Sequence, residues 1–242
     1  MAFLGIMATT FARPSLDAIL VAAVSYGLRG LQFDLACAGE PSLPAQIDAA
    51  LCDRIRHAFA MRNLTMAALS GTFNMIHPDP RQRAAGLDGL RTLLPACGAL
   101  GVSLVTLCTG TRDATNMGRR HPDNDTPEAW ADLLACMSDA VREAEEHGVT
   151  LAFEPEVASV VDSVQKARRL LDEMASPRLK VVMDPANIFH RGELPHRDRM
   201  LDWRTGRGRP GRSPPHGRSR ALGLEGPSWV LLDTDTGDAR RV

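Results

Sequence analysis

Two acidic residues, Glu154 and Asp184, sit where a parallel sheet could bring them together. In the stretch Thr150-Leu-Ala-Phe-Glu154, the period-2 face of Ala152 also carries Glu154, while Leu151 and Phe153 face the other way. Pro155 has no N–H to donate and ends the strand, and Glu156 follows as a second acid in the loop. The arrangement recurs in Lys180-Val-Val-Met-Asp184, where the face of Val182 carries Asp184, Pro185 ends the strand, and Asn187 and His190 lie just beyond. Paired carboxylates suit Mn²⁺ or Mg²⁺, because hard or borderline cations prefer oxygen ligands. Two salt-bridged acids at strand ends would be the bland alternative, and the repeated spacing favours a site. Glu156 could bind a substrate hydroxyl or move a proton, or could be a solvated loop acid.

Positioning both acids at one edge requires two parallel strands joined by a crossover helix, here expected over residues 159–174. That right-handed unit places both carboxylates at the carboxyl ends of the strands, where α/β barrels keep their chemistry. The remaining chain supplies matching units. Strands are expected over 3–8, 31–35, 65–69 and 102–107, with helices opening at Pro14-Ser-Leu-Asp and running over 45–62 and 80–100. Asp79 and Pro80 suit an N-cap and first helical residue, Thr126-Pro127-Glu128 repeats that start, and Gly101 and Gly148 close helices. Gln32 and Asp34 share a face of the second strand, so a polar face points into the barrel, which is unusual for pure core. His77, in the loop after the third strand, could reach a pocket and bind a hydroxyl or phosphate, or could serve only the capping loop. Asn187 could bind substrate or merely form the turn. His190 and His196 end no strand and read as surface residues.

Six strand–helix alternations by residue 190 predict a TIM-type (β/α)8 barrel, incomplete after about six regular units. A chain of 242 residues, 44% hydrophobic with net charge −1, can bury such a core and carries no basic excess for nucleic acid. No apolar run approaches the roughly 20 residues that a membrane helix needs, and the N-terminus lacks a basic signal region, so a cytoplasmic protein is expected. The five cysteines form no C-x-x-C pair and fit reduced, packed thiols. The loop over 108–125 is long enough to suggest a task.

Residues 204–220 are dominated by Arg, Gly, Pro and Ser and lack an apolar anchor, so this stretch is expected to be irregular. Residues 229–233 could add one more strand, with Asp233 as a ligand-type residue.

Several motifs together resemble the sugar phosphate isomerase/epimerase family of xylose isomerase-like barrels. They are Leu4-Gly-Ile-Met-Ala-Thr-Thr-Phe11, Gly30-Leu-Gln-Phe-Asp34, Gly71-Thr-Phe-Asn-Met-Ile-His-Pro-Asp79, Phe153-Glu-Pro-Glu156 and Val182-Met-Asp-Pro-Ala-Asn187. The resemblance covers about residues 1–200. It implies a divalent metal (Mn, Mg, Co or Zn) held by a glutamate after strand five, an aspartate after strand six, a histidine after strand seven and a glutamate after strand eight. Glu154 and Asp184 match the first two; the others have no counterpart. It further implies a metal-dependent sugar or sugar phosphate isomerase or epimerase working through an enediolate, with Glu154 catalytic and a small sugar as partner, and it allows a homo-oligomer. The expected organisation is a barrel over 1–202 and an irregular tail over 203–242, whose composition is what a GC-rich gene yields after a frame change near 203–207. A non-catalytic remnant of such a barrel is the alternative from another class. An endonuclease IV-type phosphodiesterase would need more metal-ligating residues and a basic DNA-binding face. No glycine-rich strand-to-helix loop supports phosphate binding.

Overall fold

The computed structural model describes residues 4–184, Asn187 and two short strands, Leu231–Leu232 and Ala239–Arg240. Six parallel strands pair in sequence order: β1 (Gly5–Met7), β2 (Gly30–Phe33), β3 (Thr65–Ser70), β4 (Leu104–Cys108), β5 (Thr150–Glu154) and β6 (Leu179–Val181). Five helices alternate with them: α1 (Leu16–Ser25), α2 (Ala49–Ala60), α3 (Pro80–Leu100), α4 (Pro127–Glu146) and α5 (Val164–Met174). These make five regular β/α units and a sixth strand of a β/α barrel wall, as the alternation predicts, and the expected sixth helix lies outside the described residues.

The start signals act as their chemistry dictates. Ser15 accepts from the Ala18 N–H, Asp48 from Leu51, Asp79 from Arg81 and Thr126 from Ala129, each satisfying an amide the first turn leaves unpaired. Pro80 and Pro127 follow their caps, where a missing N–H costs nothing. Gly101 ends α3 in the left-handed region at φ 74°, which a side chain would disfavour.

The main core lies between sheet and helices. Leu31, Phe33, Leu69, Val105, Leu107, Leu151 and Phe153 are buried there, with Phe33 meeting Phe59 of α2 edge-on at 5.3 Å. The opposite face of the sheet holds a separate small cluster of Ala152 and Val182, with Leu104 against it. Strand parity thus sorts residues between the helix layer and the barrel interior.

Three expectations shift. The crossover helix begins at Val164 rather than at 159, because Ser163 caps it through the Lys166 N–H and residues 156–161 form a hydrogen-bonded loop. The second strand stops at Phe33, since Asp34 accepts from the Ala36 N–H and starts a short 3-10 turn. The additional strand expected over 229–233 is only Leu231–Leu232, β7, which pairs antiparallel with β8 (Ala239–Arg240) beside β1 and does not join the parallel wall. His190, His196, Asp233 and the stretch 204–220 lie outside the described residues. Among the described residues no helix is long and apolar enough to cross a membrane.

Candidate active site

Strands β5 and β6 pair Leu151 with Leu179 and Phe153 with Val181, and the Val182 N–H donates to the Phe153 carbonyl at 2.9 Å. Because Leu151 and Phe153 are spent on the helix layer, Ala152 and Glu154 face the interior. Asp184 follows β6, 6% exposed. Asn187 joins the two acids: its side-chain amide donates to Glu154 Oε1 at 3.1 Å and to Asp184 Oδ2 at 3.2 Å. Three of the residues singled out in the sequence are therefore one cluster.

Their electrostatics are set by what surrounds them. Burial pushes the Glu154 carboxyl up to about 8, the negative charges of Glu156 and Asp184 push the same way, and the Asn187 amide only partly offsets them. Glu156 is not a solvated loop acid. Its N–H donates to the Val161 carbonyl and its Oε2 accepts from the Ser159 hydroxyl at 3.1 Å. Burial raises its carboxyl too, against the Ser159 bond. The loop is fixed to the neighbouring unit, because the Val160 N–H donates to the Gly110 carbonyl at 2.8 Å and the Val161 N–H to Thr109 Oγ1 at 3.1 Å.

Cys108, one of the cysteines read from the sequence only as packed thiols, stands opposite Glu154 in the β4–β5 register. Its thiol donates to the Phe73 carbonyl at 3.2 Å, and burial, then the charge of Glu156, raises its pKa. It is a buried neutral thiol lining the acid cluster. Register parity could have found it, since the face of Ala152 and Glu154 on β5 is the face of Thr106 and Cys108 on β4.

His77 is engaged elsewhere. Its Nδ1 accepts from the Asp79 N–H at 3.0 Å and its Nε2 lies 3.2 Å from the Ala114 carbonyl, so both ring nitrogens hold backbone groups. These bonds tie the loop after β3 to the loop after β4. Gln32, in contrast, is 7% exposed on the interior face of β2, and its Oε1 has no hydrogen-bond partner among the described residues.

Glu154 and Asp184 are the residues that could hold a cation. The donor set is all oxygen, and a cation between them would relieve the repulsion that raises Glu154. They would be half a site: among the described residues, no group of three or more His, Cys, Asp and Glu side chains is arranged to hold a metal.

The fold is similar to that of several sugar-converting enzymes. 3-Keto-D-glucoside 4-epimerase from E. coli superposes with a TM-score of 0.64 at 16% identity, over 83% of this chain and 74% of that one. D-allulose 3-epimerase from Methylomonas sp. gives 0.59 at 20% identity, over 77% of this chain and 64% of that one. D-psicose 3-epimerase from Clostridium cellulolyticum H10, with D-tagatose, gives 0.62 at 16% identity, over 77% and 65%. The chain thus spans less than two thirds of the last two enzymes, and likeness at this identity concerns the fold. No curated protein matches the sequence. The family model of the xylose isomerase-like TIM barrel matches residues 20–207, most of the chain, and the parallel strand order agrees with it: the chain belongs to the xylose isomerase-like TIM barrel family.

Proposed function

We propose that the chain is built for divalent-metal-dependent isomerisation or epimerisation of a sugar, through removal and return of a proton beside a carbonyl. The observation that carries this reading is the cluster in which one Asn187 amide joins Glu154 and Asp184 while Glu156 adds a third acid. Glu154 and Asp184 would hold the metal, which when bound would polarise a carbonyl or hydroxyl oxygen so that the adjacent carbon acid loses its proton to give an enediolate. Glu154 would also accept and return the proton, through the carboxylate oxygen not engaged by the metal. Glu156, held by Ser159, is placed to bind a substrate hydroxyl or pass the proton on, and Asn187 orients both carboxylates and can donate to a substrate oxygen. His77 acts by holding the loops after β3 and β4 together, which shapes the pocket wall. The fold neighbours that act on sugars support the substrate class.

The test is the Mn²⁺-induced rise in melting temperature of the wild-type chain and of Glu154→Gln. The rise should shrink or vanish in the variant; an equal rise would remove Glu154 from the site.

A second reading, a remnant that binds metal weakly and does not turn over, is favoured by the two-carboxylate donor set among the described residues. With half of the ligands the cation would be poorly held, and a misplacement of about 1 Å can cost on the order of 100-fold in rate. On this reading residues 1–202 are the barrel unit, and 203–242 carry a changed frame. Translating the coding DNA from about codon 195 in three frames decides it: a frame restoring a strand ending in His and another ending in Glu identifies the lesion. A homo-oligomer and a cytoplasmic location belong to the same proposal.

A further inference from the structure

We infer that Asn124 is a positioning residue for Glu156: its side-chain amide fixes the peptide that carries Ser159, and through the Ser159 hydroxyl it fixes the carboxylate that receives a substrate hydroxyl. The inference deepens the sugar reading of this site and rests on it. Asn124 lies in the short 3-10 turn Pro122–Asp125 of the loop after β4 and is 1% exposed. A buried amide in irregular chain needs partners for both its oxygen and its nitrogen. Its Oδ1 accepts from the Arg112 N–H at 2.7 Å, within its own loop. Its Nδ2 donates to the Ala158 carbonyl at 2.9 Å, across to the loop after β5.

What that second bond holds is one planar peptide unit, because the Ala158 carbonyl and the Ser159 N–H share it. Asn124 ties the oxygen, and the Ser159 N–H donates to the Glu156 carbonyl at 2.9 Å, so the plane is fixed from both sides. Ser159 has no exposed surface, and its hydroxyl donates to Glu156 Oε2 at 3.1 Å. Glu156 is half-buried, so the acid is open to a ligand while the residues that support it are not. Turning the 158–159 peptide would carry the Ser159 hydroxyl away from Oε2 and release the carboxylate.

The other bonds between the two loops act on different atoms. The Val160 and Val161 N–H groups, bonded to the Gly110 carbonyl and to Thr109 Oγ1, fix the returning half of the loop. Arg120 pairs with Asp162 and reaches the Val157 carbonyl at a longer 3.5 Å. Among the described residues, Asn124 is the side chain of the neighbouring loop bonded to the 158–159 peptide. A hydrogen bond from a ligand hydroxyl to a carboxylate is charge-assisted and depends on where the acceptor oxygen stands, so a released Glu156 loses most of it.

The experiment measures binding of D-fructose, D-allulose, D-tagatose and D-fructose 6-phosphate to the full chain with Mn²⁺ by calorimetry. The proteins are wild type, Asn124→Asp, Glu156→Ala and the double variant. Asn124→Asp keeps the volume and the acceptor for Arg112 and loses the donor to Ala158. Each single variant should bind the preferred sugar about 10-fold more weakly than the wild type. In the Glu156→Ala background, Asn124→Asp should change the affinity less than about 2-fold, because the group it positions is gone. An equal loss in both backgrounds would mark Asn124 as a strut of the loop wall and overturn the inference. Unchanged affinity in either single variant overturns it as well, and leaves the sugar reading standing. If Asn124→Asp fails to melt cooperatively, Ser159→Ala takes its place in the cycle: wild-type affinity, or the same loss with and without Glu156, overturns the inference. Absence of sugar binding by the wild type overturns the sugar reading and the inference together.

Discussion

The loop between β4 and α4 and the strand-end cluster of β5 and β6 are both rich in carboxylates, yet their charges are handled in opposite ways. In the loop Asp113 and Asp125 meet donors. Asp113 is ion-paired with Arg119 and accepts from the Thr115 and Asn116 N–H groups at 2.9 Å, which holds its carboxyl well below the usual range. Asp125 is bonded to Lys166 at 2.7 Å and to Arg120 at 2.6 Å and is likewise lowered. Arg120 of this loop and Lys166 of α5 also pair with Asp162, which lies in the connection before α5 with its side chain 1% exposed. At the strand ends Glu154 faces Glu156 and Asp184 and is raised. The loop acids hold the structure together, whereas the strand-end acids store a repulsion that a cation or a proton relieves. The long loop also braces the connection after β5, through the Gly110 carbonyl and the Thr109 hydroxyl.

The largest expected effect breaks the loop side of this contrast. Arg120→Met removes the guanidinium that bridges Asp125 and buried Asp162, and urea unfolding should show a loss of about 3 kcal/mol. A loss below about 1 kcal/mol would mean that Lys166 alone compensates Asp162.

The next effect concerns the strand-end acids and has the opposite sign with pH. The folded-state value of Glu154 lies above its unfolded value, so its contribution is fully present below about 4.5 and is lost as the pH rises through about 8. Metal-free protein should lose roughly 2 kcal/mol across that window, allowing for the partial exposure of the residue. Glu154→Gln should flatten the slope. An unchanged pH–stability curve in the variant would show that Glu154 is ionised in the folded chain.

A smaller effect probes the clamp between loops. Gly110 has φ +79°, and a Cβ there would stand 2.2 Å from Asn74 Oδ1, the atom that accepts from the Thr111 N–H at 2.9 Å. Gly110→Ala should cost about 1.5 kcal/mol and lower the melting temperature by roughly 3–6 °C. The smallest is a control: Asp172→Asn removes an exposed i,i+4 pair with Arg168 on α5 and should change stability by less than about 0.5 kcal/mol.

Much of the scaffold was legible residue by residue. Asp79-Pro80 and Thr126-Pro127 announce helix starts because a cap and a proline solve a local hydrogen-bonding problem that needs no tertiary partner. The alternation in Thr150-Leu-Ala-Phe-Glu154 turns Glu154 away from the helix layer because the pleat has period two, and the same parity carries Asp184. The repeated strand-end spacing already favours one site for these two acids, and the family resemblance added the expectation that they are two of four metal ligands. The start of α5 was missed because the turn at 156–161 is stabilised by Thr109 and Gly110, about fifty residues away in the chain.

What the sequence by itself determined was therefore the order of the elements and the face each residue takes, since both follow from backbone geometry within a few residues. The tertiary structure alone decided which acids are compensated and which are not. Arg120 reaches Asp162 and Asn187 reaches Glu154 across more than thirty residues, His77 is drawn to the Ala114 carbonyl, and Cys108 is placed opposite Glu154. Charge and desolvation act through space over a few ångströms, and only strand register brings such distant positions that close.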